Sequence, residues 1–176
     1  MQNITDKAVI TTGASSGLGS SLPIVTLGPQ DAGELLTLQR AAYLTEAAAH
    51  GDFNLPPLTQ TLTDLKTELT SANVLALGIR DAARLVASVR LHRVGPVVEL
   101  GRLIVAPDRQ GQGLGTMLLL HAESISSGCD EIRLFTGEHS TANIRLYRRY
   151  GYEETGQTPV GAYKLIHFTK VLSSGA

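Results

Sequence analysis

A glycine-rich turn separates an apolar stretch, residues 100–107, from a second apolar stretch with helical spacing. Gly111, Gly113 and Gly115 fill three of five positions, so no Cβ keeps a ligand away from the backbone. The first N–H groups of a helix have no partner within it, and the helix dipole is positive at that end. The pattern predicts a site for a phosphate or pyrophosphate group, with Arg109 as an additional cation.

Asn143 and Tyr147 are the second pair of candidate site residues. They lie four positions apart in a segment that predicts a helix, so their side chains share one face and suit two contacts along one ligand. Two other interpretations stay open. Tyr147 could pack in the core with its hydroxyl hydrogen-bonded locally, and Asn143 could serve only the start of its own helix.

Glu99 interrupts the apolar run Val97-Val98-Glu99-Leu100, on the predicted strand that leads into the glycine turn. A carboxylate at such a break in pattern is a candidate general base. A strand residue that faces solvent, or that pairs with Arg102 or Arg90, fits the pattern equally well. The alternative bases are His92, His121 and His139.

The composition predicts a globular protein with little net charge. The 176 residues are 43% hydrophobic and 18% charged with a net charge of −1, which predicts no general attraction to nucleic acid or to a membrane surface. One cysteine, Cys129, can form neither an intramolecular disulfide nor a CxxC metal site. Without metal-ligand spacing, a membrane-length apolar run or a signal peptide, the sequence predicts a cytoplasmic, metal-free protein.

The elements that position these residues follow from periodicity and turn residues. The helical spacing predicts helices over residues 30–50, 61–71, 113–126 and 140–150, with an irregular loop over 51–58. Alternating patterns predict strands over residues 22–27, 74–80, 84–93, 97–105, 131–136 and 163–169. The order β-α-α-β-β-β-α-β-α-β predicts an α/β fold with a mixed, mostly antiparallel central sheet flanked by helices.

The motif Gln110-x-x-Gly113-x-Gly115, after Leu-Ile-Val-Ala-Pro, resembles the acyl-coenzyme-A pyrophosphate loop of the GNAT N-acetyltransferase superfamily. It lacks the Lys-Ser/Thr of a P-loop and the spacing of GxGxxG. A second motif, Asn143-x-x-Leu146-Tyr147-x-x-x-Gly151-Tyr152, resembles the Asn-x-x-Leu-Tyr-x-x-x-Gly-Phe/Tyr element of the same superfamily. The two motifs occur in the family's order, and the resemblance covers roughly residues 22–170.

The resemblance implies a GNAT-like fold and transfer of an acetyl group from acetyl-CoA to a primary amine of a small molecule or peptide, by direct attack in a ternary complex. It implies that the backbone of residues 110–115 binds pyrophosphate and that Tyr147 lies near the thioester sulfur. Asn143 would contact the pantetheine arm or an ordered water beside it. Glu99 matches the catalytic glutamate of the histone-acetylating branch. The implied cosubstrate residues are Leu103, Ile104, Val105, Arg109, Gln110, Gly111, Gln112, Gly113, Leu114, Gly115, Thr116, Asn143 and Tyr147.

The first two helices and their loop usually form the acceptor pocket in this superfamily, which makes Tyr43, His50, Phe53 and Asn54 candidate substrate contacts. Phe53 and Tyr43 could instead only pack the loop. The resemblance also makes a homodimer possible. A non-catalytic acyl-CoA-binding module is the alternative function, which a pocket blocked by residues 1–20 would favour.

The N-terminus carries a competing motif. Residues 7–19 resemble the opening strand and TGxxxGxG loop of short-chain dehydrogenases, which alone would predict NAD(P) binding. Pro23 and Pro29 interrupt the position of the required crossover helix, and the chain contains no Tyr-x-x-x-Lys. The sequence therefore predicts a leader or extension over residues 1–20, one domain over 21–172 and a tail over 173–176.

Overall fold

The computed structural model describes residues 22–172. Within them, seven strands form a sheet in the order β1-β2-β3-β4-β5-β7-β6. The strands are β1 (Ile24–Leu27), β2 (Val74–Asp81), β3 (Arg84–Val94), β4 (Val97–Val105), β5 (Glu131–Gly137), β6 (Glu153–Val160) and β7 (Tyr163–Val171). The helices are α1 (Ala32–His50), α2 (Pro56–Thr59), α3 (Leu62–Thr70), α4 (Leu114–Ile125) and α5 (Thr141–Arg149).

Helices cover both faces of the sheet. On one face, α1 and α3 bury Leu35 and Leu65 against strand residues such as Ile104. On the other face, α4 and α5 pack against Ile132 and Phe168. Apolar positions at helical spacing and at alternate strand positions thus meet in two layers, as their periodicities require.

Local signals explain where the helices begin and end. Thr61 caps α3, because its hydroxyl accepts a hydrogen bond from the Asp64 N–H while the Asp64 carboxylate accepts one from the Thr61 N–H. Gly51 ends α1 with a φ of 66°, in the left-handed region that glycine adopts without strain. This end of α1 places its last turn beside β5 and β7.

The neighbouring strands β4 and β5 are parallel, and they pair over only three positions, residues 97–99 with residues 131–133. Beyond this point they separate, and residues 100–103 and 135–137 line a cavity instead of facing each other. The β3–β4 register also shifts near Arg102, which has a φ of 52°. A bulge of this kind changes where the side chain at that position points.

The structure confirms the predicted fold class, an α/β fold with a mixed, mostly antiparallel sheet. The predicted element order is one strand short, because β6 was not predicted. This edge strand is exposed along nearly its whole length. Its sequence therefore lacks the alternation of apolar and polar residues that predicts a strand. Residues 51–58, predicted as irregular, contain the start of α2, and the dehydrogenase-like stretch lies outside the described residues.

Candidate active site

Two cavities meet where β4 and β5 separate. The first, of about 430 Å³, lies between the C-terminal half of α1, the following loop, and strands β4, β5 and β7. The second, of about 380 Å³, lies between the end of β4, the glycine-rich turn and the first turn of α5. Residues that line both cavities are Tyr43, Glu46, Leu103 and Asn143. A long ligand in the second cavity can therefore extend into the first.

The glycine-rich turn forms a wall of the second cavity. Gly111 and Gly113 have φ values of 75° and 81°, a conformation that strains any other residue. Gly113 is the N-cap of α4, and no side chain caps this helix within the described residues. The N–H groups of its first turn are thus left for a ligand, which is the arrangement that binds a pyrophosphate.

Two ion pairs hold this turn against the β2–β3 hairpin. Arg84 donates two hydrogen bonds of 2.7 Å to Asp108, and its guanidinium lowers the pKa of Asp108 to about 2. Arg109 pairs with Asp81 and donates a hydrogen bond of 2.9 Å to Gln112. These contacts connect the residues just before the turn to the hairpin. Arg109 lines the cavity while its charge is already paired with Asp81.

Asn143 and Tyr147 lie one turn apart on α5 and both line the first cavity. Tyr147 is 3% exposed, and its ring centroid lies 5.8 Å from those of Tyr152 and Phe168. Burial raises the pKa of Tyr147, so its hydroxyl stays protonated at neutral pH and can donate. The N-cap of α5 is Ser140, so Asn143 does not cap this helix.

A carboxylate and an imidazole lie on the cavity side of α1. Glu46 Oε1 is 3.6 Å from His50 Nε2 and accepts a hydrogen bond of 3.0 Å from Ser140 Oγ. The His50 side chain is 1% exposed and stacks on Tyr163 at a centroid distance of 4.2 Å. Neither of its ring nitrogens has a hydrogen-bond partner in the described part of the chain. A carboxylate and an imidazole are groups that can accept a proton from a ligand.

The family model described as acetyltransferase (GNAT) family matches residues 39–152. All residues that line the second cavity fall inside this segment. The chain belongs to the GNAT acetyltransferase family. The resemblance carried by the two sequence motifs is thereby confirmed.

Solved GNAT structures share the fold. The PaiA N-acetyltransferase from Thermoplasma acidophilum, solved in complex with coenzyme A, is 21% identical with a TM-score of 0.71, over 84% of this chain and 98% of that one. The ribosomal-protein-S18-alanine N-acetyltransferase from Escherichia coli is 19% identical with a TM-score of 0.74, over 89% of this chain and 97% of that one. At these identities the likeness concerns the fold.

A curated relative, the UPF0157 protein YqkA of Bacillus subtilis (strain 168), is 24% identical over 121 residues. The match covers 69% of this chain and 34% of YqkA. The GNAT chain thus spans about a third of the length of this relative.

Most of the predicted cosubstrate residues do line the second cavity of this GNAT domain. Gln112 does not, since its side chain accepts the hydrogen bond from Arg109 instead. Tyr147 lines the first cavity only. The predicted residues that line the second cavity are Leu103, Ile104, Val105, Arg109, Gln110, Gly111, Gly113, Leu114, Gly115, Thr116 and Asn143.

Three other predicted residues lie outside the lining of both cavities. The Glu99 side chain is 57% exposed, and its carboxylate is 3.5 Å from His92 Nδ1. Phe53 is 60% exposed, and Asn54 is also exposed. The same loop contributes residues 55–57 to the first cavity instead.

Among the charged lining residues, two were missed by the sequence analysis, Glu46 and Arg102. The available signal for Glu46 was its position between Tyr43 and His50, three and four residues away, because such spacing puts all three on one helix face. Arg102 gave no signal, since its direction depends on the bulge in β4. Within residues 22–172, no three potential metal ligands come together, and no helix is both long and apolar enough to span a membrane.

Gly137 keeps space open for the His50 ring. A Cβ at position 137 would lie 2.6 Å from His50 Cε1 and nearer still to Nε2. We expect Gly137→Ala to lower the free energy of unfolding by about 1–3 kcal/mol, because a ring stacked on Tyr163 has little freedom to move. Thermal or denaturant unfolding measures this change.

The control is Gly156→Ala, in β6, where an added Cβ has no heavy atom within 4 Å. Replacing His50 by alanine in the Gly137→Ala background should recover part of the loss. Equal destabilisation by the two glycine substitutions would contradict the contact.

Proposed function

We propose that this GNAT domain is an acetyl-CoA-dependent N-acetyltransferase that transfers the acetyl group to a primary amine of a small molecule or peptide by direct attack in a ternary complex. The observation that carries the proposal is the junction of the two cavities at the separation of β4 and β5. One cavity suits a nucleotide cosubstrate with a pyrophosphate, and the other suits an acceptor.

The residues at the junction supply the chemistry that such a transfer needs. Tyr147 is protonated and can give a proton or a hydrogen bond to the leaving thiolate. Asn143 lines both cavities, which supports assigning it to the pantetheine arm. The backbone N–H groups of the glycine-rich turn bind the pyrophosphate.

The attacking amine must lose a proton, since a free alkylamine is protonated at neutral pH. We assign this step to Glu46 and His50, because they line the acceptor cavity and lie 3.6 Å apart. Glu99, the base predicted from the sequence, lies on β4 two residues before Gly101 of the cavity lining, and could accept the proton only through water. The variants Glu99→Gln and His50→Gln distinguish the two assignments.

The alternative is a non-catalytic acyl-CoA-binding module. A binding module would need the second cavity only. In this structure a first cavity lies next to the second and shares four lining residues with it. The acceptor cavity therefore favours the enzyme.

Calorimetric titration with acetyl-CoA, and with NADPH in parallel, tests the cosubstrate. We expect saturable binding of acetyl-CoA and none of NADPH. A panel of primary amines, assayed by release of the coenzyme A thiol, then tests transfer. Acetyl-CoA binding without transfer to any amine would favour the non-catalytic module, and binding of NADPH alone would refute the assignment.

A further inference from the structure

The first cavity contains one cation among its described lining residues, Arg102. Its guanidinium carbon lies 5.9 Å from the centroid of the Tyr43 ring, at the opposite end of the cavity-facing side of α1 from His50. The residue is half-buried. An arginine that lines a cavity presents a planar set of donors that matches a carboxylate.

Arg102 differs from most other arginines of the described chain, because none of the described carboxylates lies within ion-pair distance of it. Acidic side chains neutralise Arg80, Arg84, Arg90, Arg109, Arg133 and Arg148. A half-buried guanidinium without an acidic partner is free to bind an anionic ligand.

The nearby charges also favour an anionic ligand at Arg102. Glu68 already accepts hydrogen bonds of 2.8 and 3.0 Å from Arg90 Nη1. Burial lowers the pKa of Arg90, and the positive charge of Arg102 contributes to the same effect, so the two cations are close neighbours. Arg90 therefore adds positive charge near Arg102 and binds the Glu68 carboxylate itself.

The backbone holds Arg102 in an uncommon conformation. Its φ of 52° is in the left-handed region, which costs a non-glycine residue free energy. The bulge in β4 at this position directs the side chain toward the cavity lining. A strained bulge at a binding cavity is a feature that ligand recognition can explain.

The same cavity also carries a negative charge. Glu46 lines the cavity beside His50, and its carboxylate has no arginine or lysine partner among the described residues. The walls between are mostly apolar or aromatic, including Leu55, Phe135 and Tyr163. The cavity thus offers an anion, a cation and an apolar surface.

We propose that the acceptor is an amine that also carries a carboxylate, of the amino-acid type with an apolar or aromatic body. Its carboxylate pairs with Arg102, and its ammonium group lies toward Glu46 and His50. A single guanidinium balances one negative charge, which fits a carboxylate better than a phosphate dianion. This inference rests on the proposed acetyltransferase function.

The test compares matched acceptors with the full-length protein and acetyl-CoA, by release of the coenzyme A thiol. The panel consists of the apolar and aromatic L-amino acids, their primary amides and their decarboxylated amines. The amides are less basic and therefore more reactive at neutral pH, so a preference for the acids must come from the protein. We expect kcat/KM for the acids to exceed that for both analogues at least about tenfold.

Arg102→Gln should reduce kcat/KM for the acids by about 10- to 100-fold. The kcat/KM values for the amides and amines should stay within about twofold of wild type, so the variant should lose the preference for the acids. The matched control is Arg149→Gln, because the Arg149 guanidinium also lies 5.9 Å from a tyrosine ring centroid, that of Tyr150, but Arg149 lines neither cavity. If Arg102 had only a structural role, the variant would lower kcat/KM equally for all three acceptor classes. That result would overturn the inference.

The outcomes separate this inference from the proposed function. If amides or amines are acetylated as fast as the acids, the proposed acetyltransferase function still holds. The inference that the acceptor carries a carboxylate is then refuted. Failure to acetylate any member of the panel, with acetyl-CoA bound, would count against the proposed function and the inference together.

Discussion

Gly115→Val is expected to weaken acetyl-CoA binding at least a hundredfold, about 2.8 kcal/mol. Gly115 lies in the first turn of α4 and lines the second cavity. A Cβ at this position meets only Val105 Cγ2 within the protein, at 3.8 Å, so the fold accepts a small side chain. The branched side chain of valine would instead take the space into which the pyrophosphate must fit. Calorimetric titration measures the loss.

The matched control is Gly128→Val, just after α4, where an added Cβ has no heavy atom within 4 Å. Gly113→Val tests a different property, because a φ of 81° strains the backbone of any side chain there and would change the shape of the turn. Unchanged acetyl-CoA affinity in the Gly115 variant would show that the pyrophosphate binds elsewhere.

Tyr147→Phe is expected to lower kcat by about 10²- to 10⁴-fold while leaving acetyl-CoA affinity within about twofold. The ring remains and keeps its packing against Tyr152 and Phe168, so the loss reports the hydroxyl. Since burial raises the pKa of Tyr147, the wild-type hydroxyl stays protonated and the deficit should be constant from about pH 6 to pH 9. Steady-state rates across that pH range, with an accepted amine, measure this effect.

Tyr152→Phe is the matched control for this substitution. Tyr152 is also a buried tyrosine in the same ring cluster, but it lies outside the lining of both cavities. Its hydroxyl has no hydrogen-bond partner in the described residues, so its removal should leave kcat unchanged. An equal fall in kcat for both variants would point to disturbed packing instead of a lost proton donor.

The layered fold could be predicted because its signals are local. Strands β2, β3 and β4 contain enough apolar residues to be predicted as strands. In α1 and α4 the buried residues recur at helical spacing. The exposed strand β6 has the sequence EETGQTPV, whose glycine, proline and polar residues are typical of a loop. The segment is a strand because it pairs with β7, and this long-range contact cannot be predicted from the local sequence.

The two cavities of the site also differed in how far the sequence could predict them. The turn at Gly111–Gly115 is contiguous, so its spacing alone predicted a phosphate site. The acceptor cavity combines Glu46 on α1, Arg102 on a bulge and Tyr163 on β7, which are distant in sequence. Their meeting depends on tertiary packing, and a loop residue such as Phe53 cannot be told from its buried neighbour Leu55 by type. The domain boundaries, cytoplasmic location and homodimer stay predictions.

The short pairing between β4 and β5 also affects how the sheet holds together. Strands β1 to β4 form one half of the sheet and strands β5 to β7 form the other half. Between β4 and β5, the two halves pair at only three positions, all at one end of these strands. A ligand lying between the open ends would act as a crosslink between the two halves. Occupancy would then raise the stability of the native state by mass action, and the unliganded domain would be the form most exposed to local opening and proteolysis along this seam.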